Sequence, residues 1–159
     1  WSVAGNFDLS NVTASRLLSA FESGISIDGK LKLKGLFSSR SVQAAQLVDM
    51  PEMTVNFELS EGKINDIDLA RAVLFKGNQS LAGGATQFDK LTGNLQLING
   101  NYQYGQLVLE ANQLHAKGNL DIQPNQDVSG KISANLTAQS RRLSANFNLT
   151  GKVGNLKKQ

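Results

Sequence analysis

The side chains with the widest chemical range are scarce in this chain. His115 is the single histidine and cysteine is absent, so a nucleophile–imidazole system or a multi-histidine metal site would have to be built around one imidazole. His115 stands between Leu114 and Ala116 on the polar phase of an alternating stretch, the setting of an ordinary surface residue. Asp66 and Asp68 could in principle hold a cation, but helix capping and the attraction of acids to a helix N-terminus account for them without a metal. Gly77, Gly83 and Gly84 invite a phosphate-loop reading, which fails because no Lys-Ser or Lys-Thr follows in a strand-to-helix turn. The row Lys30, Lys32, Lys34 could meet phosphate groups, but such a row is more often a solvated outer face or an edge strand protected against aggregation, and that is the reading adopted. The expectation is a protein that is not an enzyme, with no catalytic residue, no cofactor and no metal.

Size and charge narrow the class further. A chain of 159 residues that is 40% hydrophobic is long enough to bury a core as one domain. Its net charge of +3 is spread thinly, apart from Lys157 and Lys158, and aromatic residues make up only 6%. A nucleic-acid binder concentrates its charge in a patch or stripe, so nucleic acid is not an expected partner. No window approaches the ~18 consecutive apolar residues of a membrane-spanning helix. The first residue is Trp1 rather than methionine, and the expectation is a piece of a larger protein with any signal or anchor upstream.

The elements that would position any site are clearest in the second half. Leu95 and Leu97 run up to Asn99-Gly100, a pair that favours a tight hairpin turn. Tyr102 and Tyr104 follow, and the phase then slips to Leu107, Leu109 and Ala111, which predicts a bulge near Gly105. Alternation resumes after Asn112-Gln113 as Leu114, Ala116, Gly118, Leu120 and Ile122, up to Pro124-Asn125. The next run is Val128, Gly130, Ile132, Ala134, Leu136 and Ala138, and past Ser140-Arg141 come Leu143, Ala145, Phe147, Leu149, Gly151 and Val153. A period of two makes one sheet face apolar and the other wet, and short turns make neighbours antiparallel.

The first half mixes strands with short helices. Phe7 and Leu9 end a strand, and Asn11-Val12-Thr13 caps a helix whose face is Ala14, Leu17, Leu18 and Phe21, ended by Gly24. Ile25, Ile27, Leu31, Leu33 and Phe37 form a strand, and a short helix is expected over Val42 to Val48, ahead of Pro51. Met53, Val55, Phe57 and Leu59 give the next strand, Glu61-Gly62-Lys63 a turn and Ile64 a short return. Asp66 or Asp68 would cap a last helix with Ile67, Ala70 and Leu74 on one face.

The predicted fold class is β-dominated (α+β): a long antiparallel, strongly curved β-meander of about eight strands, with two or three short amphipathic helices on part of its apolar face. Residues 1–159 form a single domain, divided into mixed strands and helices over 1–75, a loop over 76–85, a meander over 86–153 and a tail over 154–159. Glycines inside strands, at Gly29, Gly35, Gly118, Gly130 and Gly151, suggest coiling of the sheet or isolated bulges. A three-turn helix covers a stripe only ~10 Å wide, so part of the face must be closed by curling, by another domain or by a ligand.

Two stretches give a family resemblance. One is Phe57-Glu-Leu-Ser-Glu-Gly62-Lys-Ile-Asn-Asp66-Ile-Asp68-Leu-Ala-Arg71-Ala; the other is Phe88-Asp-Lys-Leu-Thr-Gly-Asn-Leu-Gln-Leu-Ile98-Asn-Gly100, followed by a strand ending Ala116-Lys-Gly118-Asn-Leu120-Asp-Ile-Gln. With this pattern the chain resembles the C-terminal part of AsmA-like envelope proteins, a family similar to bridge-like lipid transfer proteins. The resemblance implies a domain on the periplasmic side of the Gram-negative inner membrane, tethered through an upstream anchor, with a role in outer-membrane biogenesis or phospholipid transport. Phospholipid is the implied partner, along with an unidentified envelope protein. Assigned by phase, the candidate lipid-facing residues are Leu109, Leu120, Ile132, Leu136, Phe147 and Leu149. The alternatives are a structural or assembly module that binds no lipid, and a fragment of a transmembrane β-barrel, against which stand the first-half helices and the lack of aromatic girdles.

Overall fold

The computed structural model describes residues 1–16, 26–47, 49, 51–75, 82–153 and 155–158. Nine strands form one sheet in chain order: β1 (Ser2–Thr13), β2 (Ile27–Arg40), β3 (Glu52–Ile67), β4 (Ala82–Ile98), β5 (Asn101–Glu110), β6 (Leu114–Ile122), β7 (Asp127–Ala138), β8 (Arg141–Lys152) and β9 (Asn155–Lys158). Every neighbouring pair is antiparallel. The β-dominated, curved meander expected from the alternation is therefore what the chain forms. Helical structure among the described residues comprises one turn at residues 14–16, a 3-10 turn at Ala44–Gln46 and the helix α1 (Leu69–Leu74).

Turn chemistry sets the hairpins. Asn99 and Gly100 both have positive φ, at 51° and 74°, and join Ile98 to its partner Asn101. Two left-handed residues in succession match the twist of the flanking strands, and Asn and Gly reach that region at least cost. Gln139 and Ser140 do the same between Ala138 and Arg141, so this turn lies one residue earlier than the Ser140-Arg141 pair suggested.

The first half departs from expectation because bulges replace turns. Glu61-Gly62-Lys63 is not a turn: β3 runs straight through it, and Ser60 and Gly62 pair with Lys90 and Phe88 of the same neighbour. Glu61 has φ 51°, and the inward phase jumps from Leu59 to Gly62. Comparable breaks fall at Asn11 in β1, Gly29 in β2 and Gln106 in β5, each with positive φ and a register shift beside it. The last confirms the break expected near Gly105. A bulge adds twist and bends its strand, so this series curls the sheet. β1 likewise continues past Leu9 to Thr13.

Other boundaries also move. Residues 82–85 belong to β4 rather than to a loop, 155–158 form β9 rather than a tail, and the meander begins at Ser2 rather than at residue 86. Of the helix expected over Val42 to Val48, the described residues form only the 3-10 turn, and Val48 lies outside them. Leu17, Leu18, Phe21 and Gly24, placed on the first helix, lie outside the described residues, as do Ile25 and 76–81.

Asp68 caps α1, its carboxylate accepting the Arg71 N–H at 2.8 Å, a contact worth ~1 kcal/mol. Asp66 is not a cap; it sits in β3 with φ 61°. The buried face of α1 is Leu69, Ala72 and Val73, not Ile67, Ala70 and Leu74: Ile67 ends β3 and Leu74 is exposed. With Asp68 as cap the helix starts at Leu69, two residues after Ile67, and this rotates the apolar stripe.

On the outer face the lysines of β2 form a cross-strand ladder, Lys30 with Glu61 at 2.6 Å, Lys32 with Glu58 at 3.8 Å and Lys34 with Asp8 at 2.9 Å. This is the solvated face, and β2 is not an edge. Lys90 also reaches Glu58 at 2.9 Å, and that hydrogen bond holds the Glu58 carboxyl below its ordinary range. These pairs are exposed and contribute little to stability.

Candidate functional site

Strand register places the inward residues in rows that cross the sheet. One row runs through Leu31, Leu59, Leu91, Leu109, Ala116 and Ala134. Apart from residues of α1 and Ala14, this row contributes much of the buried core. A second runs through Val55, Leu95, Tyr104, Leu120, Gly130 and Leu149. Between them Leu107, Gly118, Ile132 and Phe147 form a third.

Glycines recur in these rows opposite large side chains. A side chain at Gly35 would meet the Phe7 ring, and one at Gly93 the Phe57 ring and Leu107. The missing Cβ lets a neighbouring ring lie flat on the sheet, which packs the concave side without thickening it. Gly35 and Gly93 therefore serve the coiling of the sheet through these packed pairs, whereas Gly29 marks a bulge in β2.

α1 closes one end of the concavity. It follows β3 but lies against β4, β7 and β8, across the inner face. Thr86 of β4 anchors it: its buried hydroxyl accepts the Leu69 N–H at 2.9 Å and donates to the Ile67 carbonyl at 2.7 Å. Val73 is only 1% exposed. β9 approaches β4, so the sheet curls towards closure.

The six phase-assigned residues all belong to the inner face but divide into two groups. Leu109, Leu136, Phe147 and Leu149 are buried in the core that includes Leu69, Ala72 and Val73. Leu120 and Ile132 are only half-buried. With them, Phe57, Leu95, Tyr104 and Leu107 form a strip of half-buried apolar side chains. Phe57 and Tyr104 meet edge to face, centroids 6.4 Å apart. Sequence reasoning missed these four as lining residues; the phase slip after Tyr104, which turns Leu107 inward beside Phe57, was the signal available.

Burial pushes the Tyr104 hydroxyl up to about 12, with neighbouring Tyr102 adding to the shift. The neutral phenol is the form the fold favours, so this contribution to stability is complete below the unfolded value of ~10 and is lost as pH rises towards 12. An absorbance titration of tyrosinate is expected to resolve a late step that Tyr104→Phe removes. A titration with no late step, or one whose late step Tyr104→Phe leaves in place, would contradict the buried placement.

His115 is exposed on the outer face opposite Glu110 and Asn135. Among the described residues no group of three or more His, Cys, Asp or Glu side chains is arranged to hold a metal ion, and no helix is long and apolar enough to cross a membrane. No family model matches the chain, and no curated protein or solved structure shows significant similarity to it.

Proposed function

We propose that this domain is a non-enzymatic module whose curled sheet shelters acyl chains along the strip from Phe57 to Ile132. The supporting observation is that these apolar side chains are contiguous and half-buried, beside neighbouring inward residues that form the buried core. A lipid tail laid there would gain ~0.8 kcal/mol per methylene removed from water, with its headgroup left in solvent. In this reading α1 is an end wall that limits how far a tail can slide. Combined with the AsmA-like resemblance, the proposal extends to a periplasmic domain anchored in the inner membrane that takes part in outer-membrane biogenesis or phospholipid transport. No catalytic group is required.

A second reading, a structural or assembly module without lipid, draws on the tight burial of Leu109, Leu136, Phe147 and Leu149. Native mass spectrometry with solvent extraction, on domain purified from a Gram-negative host without detergent, separates the two. Near-stoichiometric phospholipid is the expected result. A lipid-free, cooperatively folding monomer would favour the structural module.

A further inference from the structure

The sheet splits at one place along its length. β4 pairs with β5 only from Lys90, opposite Glu110, onward, whereas residues 82–89 extend beyond the end of β5 and pair with β3 alone. Among the described residues no backbone partner occupies the other side of this overhang. A cleft of about 790 Å³ runs beside it, bounded by 85–89 on one wall and by the β5–β6 turn, 111–114, on the other. Phe88, Leu114 and Leu136 supply apolar surface in its lining.

A free strand edge presents unpaired N–H and C=O groups that template another strand, and proteins usually guard such edges with lysine or proline. Residues 83–89 contain neither, and Asp89 is their single charge. Gly83 and Gly84, both at positive φ, form a bulge where the β3–β4 register shifts, so the extended part of the overhang is 85–89, which at ~3.3 Å per residue spans ~17 Å, enough for a short extended peptide. The cleft lining is acidic: Asp28, Glu61, Asp68 and Asp89 face a single Lys63. It stays net negative after Lys30, paired to Glu61 from outside the lining, is counted.

We infer that the β4 overhang is a strand-addition site for an extended, basic segment of another polypeptide, which alternates apolar residues towards Leu114 and Leu136 with Lys or Arg towards Asp89. Main-chain hydrogen bonds would supply affinity and the acidic rim would select charge. The site is separate from the half-buried strip, so it does not depend on lipid binding.

The test uses a fluorescein-labelled peptide of alternating valine and lysine, seven residues long, in anisotropy titrations against the whole domain. Saturable binding is expected, weakened about tenfold or more by N-methylation of alternate peptide bonds and by Asp89→Lys. A valine–glutamate peptide should not bind, and amide exchange should slow over 85–89. Absence of saturable binding, indifference to N-methylation, indifference to Asp89→Lys, protection confined to β1, or self-association through this edge would each overturn the assignment.

Discussion

Phe147→Asp is expected to abolish cooperative folding, whereas Ile132→Asp yields a folded domain that no longer retains acyl chains. The two side chains are direct cross-strand neighbours on β7 and β8, so they test the same place at different depths. Phe147 is 5% exposed and packs in the main core. Truncating such a ring costs ~3–5 kcal/mol, and an unpaired carboxylate in its place adds several more. That sum consumes most of the ~5–15 kcal/mol by which a domain of this size is stable. Ile132 lies in the half-buried strip, so an aspartate there keeps contact with water and the fold survives with a lowered midpoint. Urea unfolding followed by circular dichroism, combined with lipid extraction from the same preparations, reads both consequences. If Ile132→Asp unfolds the domain as fully as Phe147→Asp, the strip is closed core and the lipid-sheltering proposal fails.

Gly62→Val is expected to destabilise the domain by ~1–3 kcal/mol or more. A side chain at this position would run into the Phe88 ring and the Asp28 carbonyl oxygen. The ring can yield only by leaving a site where it is 4% exposed, and the carbonyl belongs to the adjoining strand and cannot move without disturbing the β2–β3 register. The disturbance also reaches α1, because Thr86, two residues from Phe88, anchors its first turn. Adding Phe88→Leu should recover part of the loss, so the double variant is less destabilised than the two single changes added together. Strict additivity in denaturant melts would show that the ring and Gly62 do not share the space.

Legibility differed between the two halves for a physical reason. From Leu95 to Val153 the runs of alternating residues end at turns marked by Asn, Gly or Pro, except at Gln139-Ser140, where the turn lies one residue earlier than expected, and these strands fell where alternation placed them. From Phe7 to Phe88 the same residue types do a different job. Glu61-Gly62 has the composition of a turn, but the chain uses it as a bulge, since the partner strand β4 is long enough to continue the pairing on both sides. Whether such a pair reverses the chain or only kinks it depends on that distant partner. The choice of cap at α1 has a similar origin: two aspartates two apart could both cap, and the extension of β3 through Ile67 left Asp68 as the first free position.

The sequence by itself determined which side of each strand is apolar, because alternation follows from the backbone geometry of a strand and needs no knowledge of neighbours. It pointed, too, to helices too few to cover that face, and it set one histidine and no cysteine as the limits on any imidazole or thiolate chemistry. Tertiary structure alone decided which inward residues are packed and which stay half-buried, since Ile132 and Phe147 occupy the same phase and differ only in what the curled sheet and α1 bring against them. It also decided that α1 crosses to β7 and β8, and that β4 overhangs β5. These are outcomes of register and curvature, which arise from pairing between residues far apart in the chain.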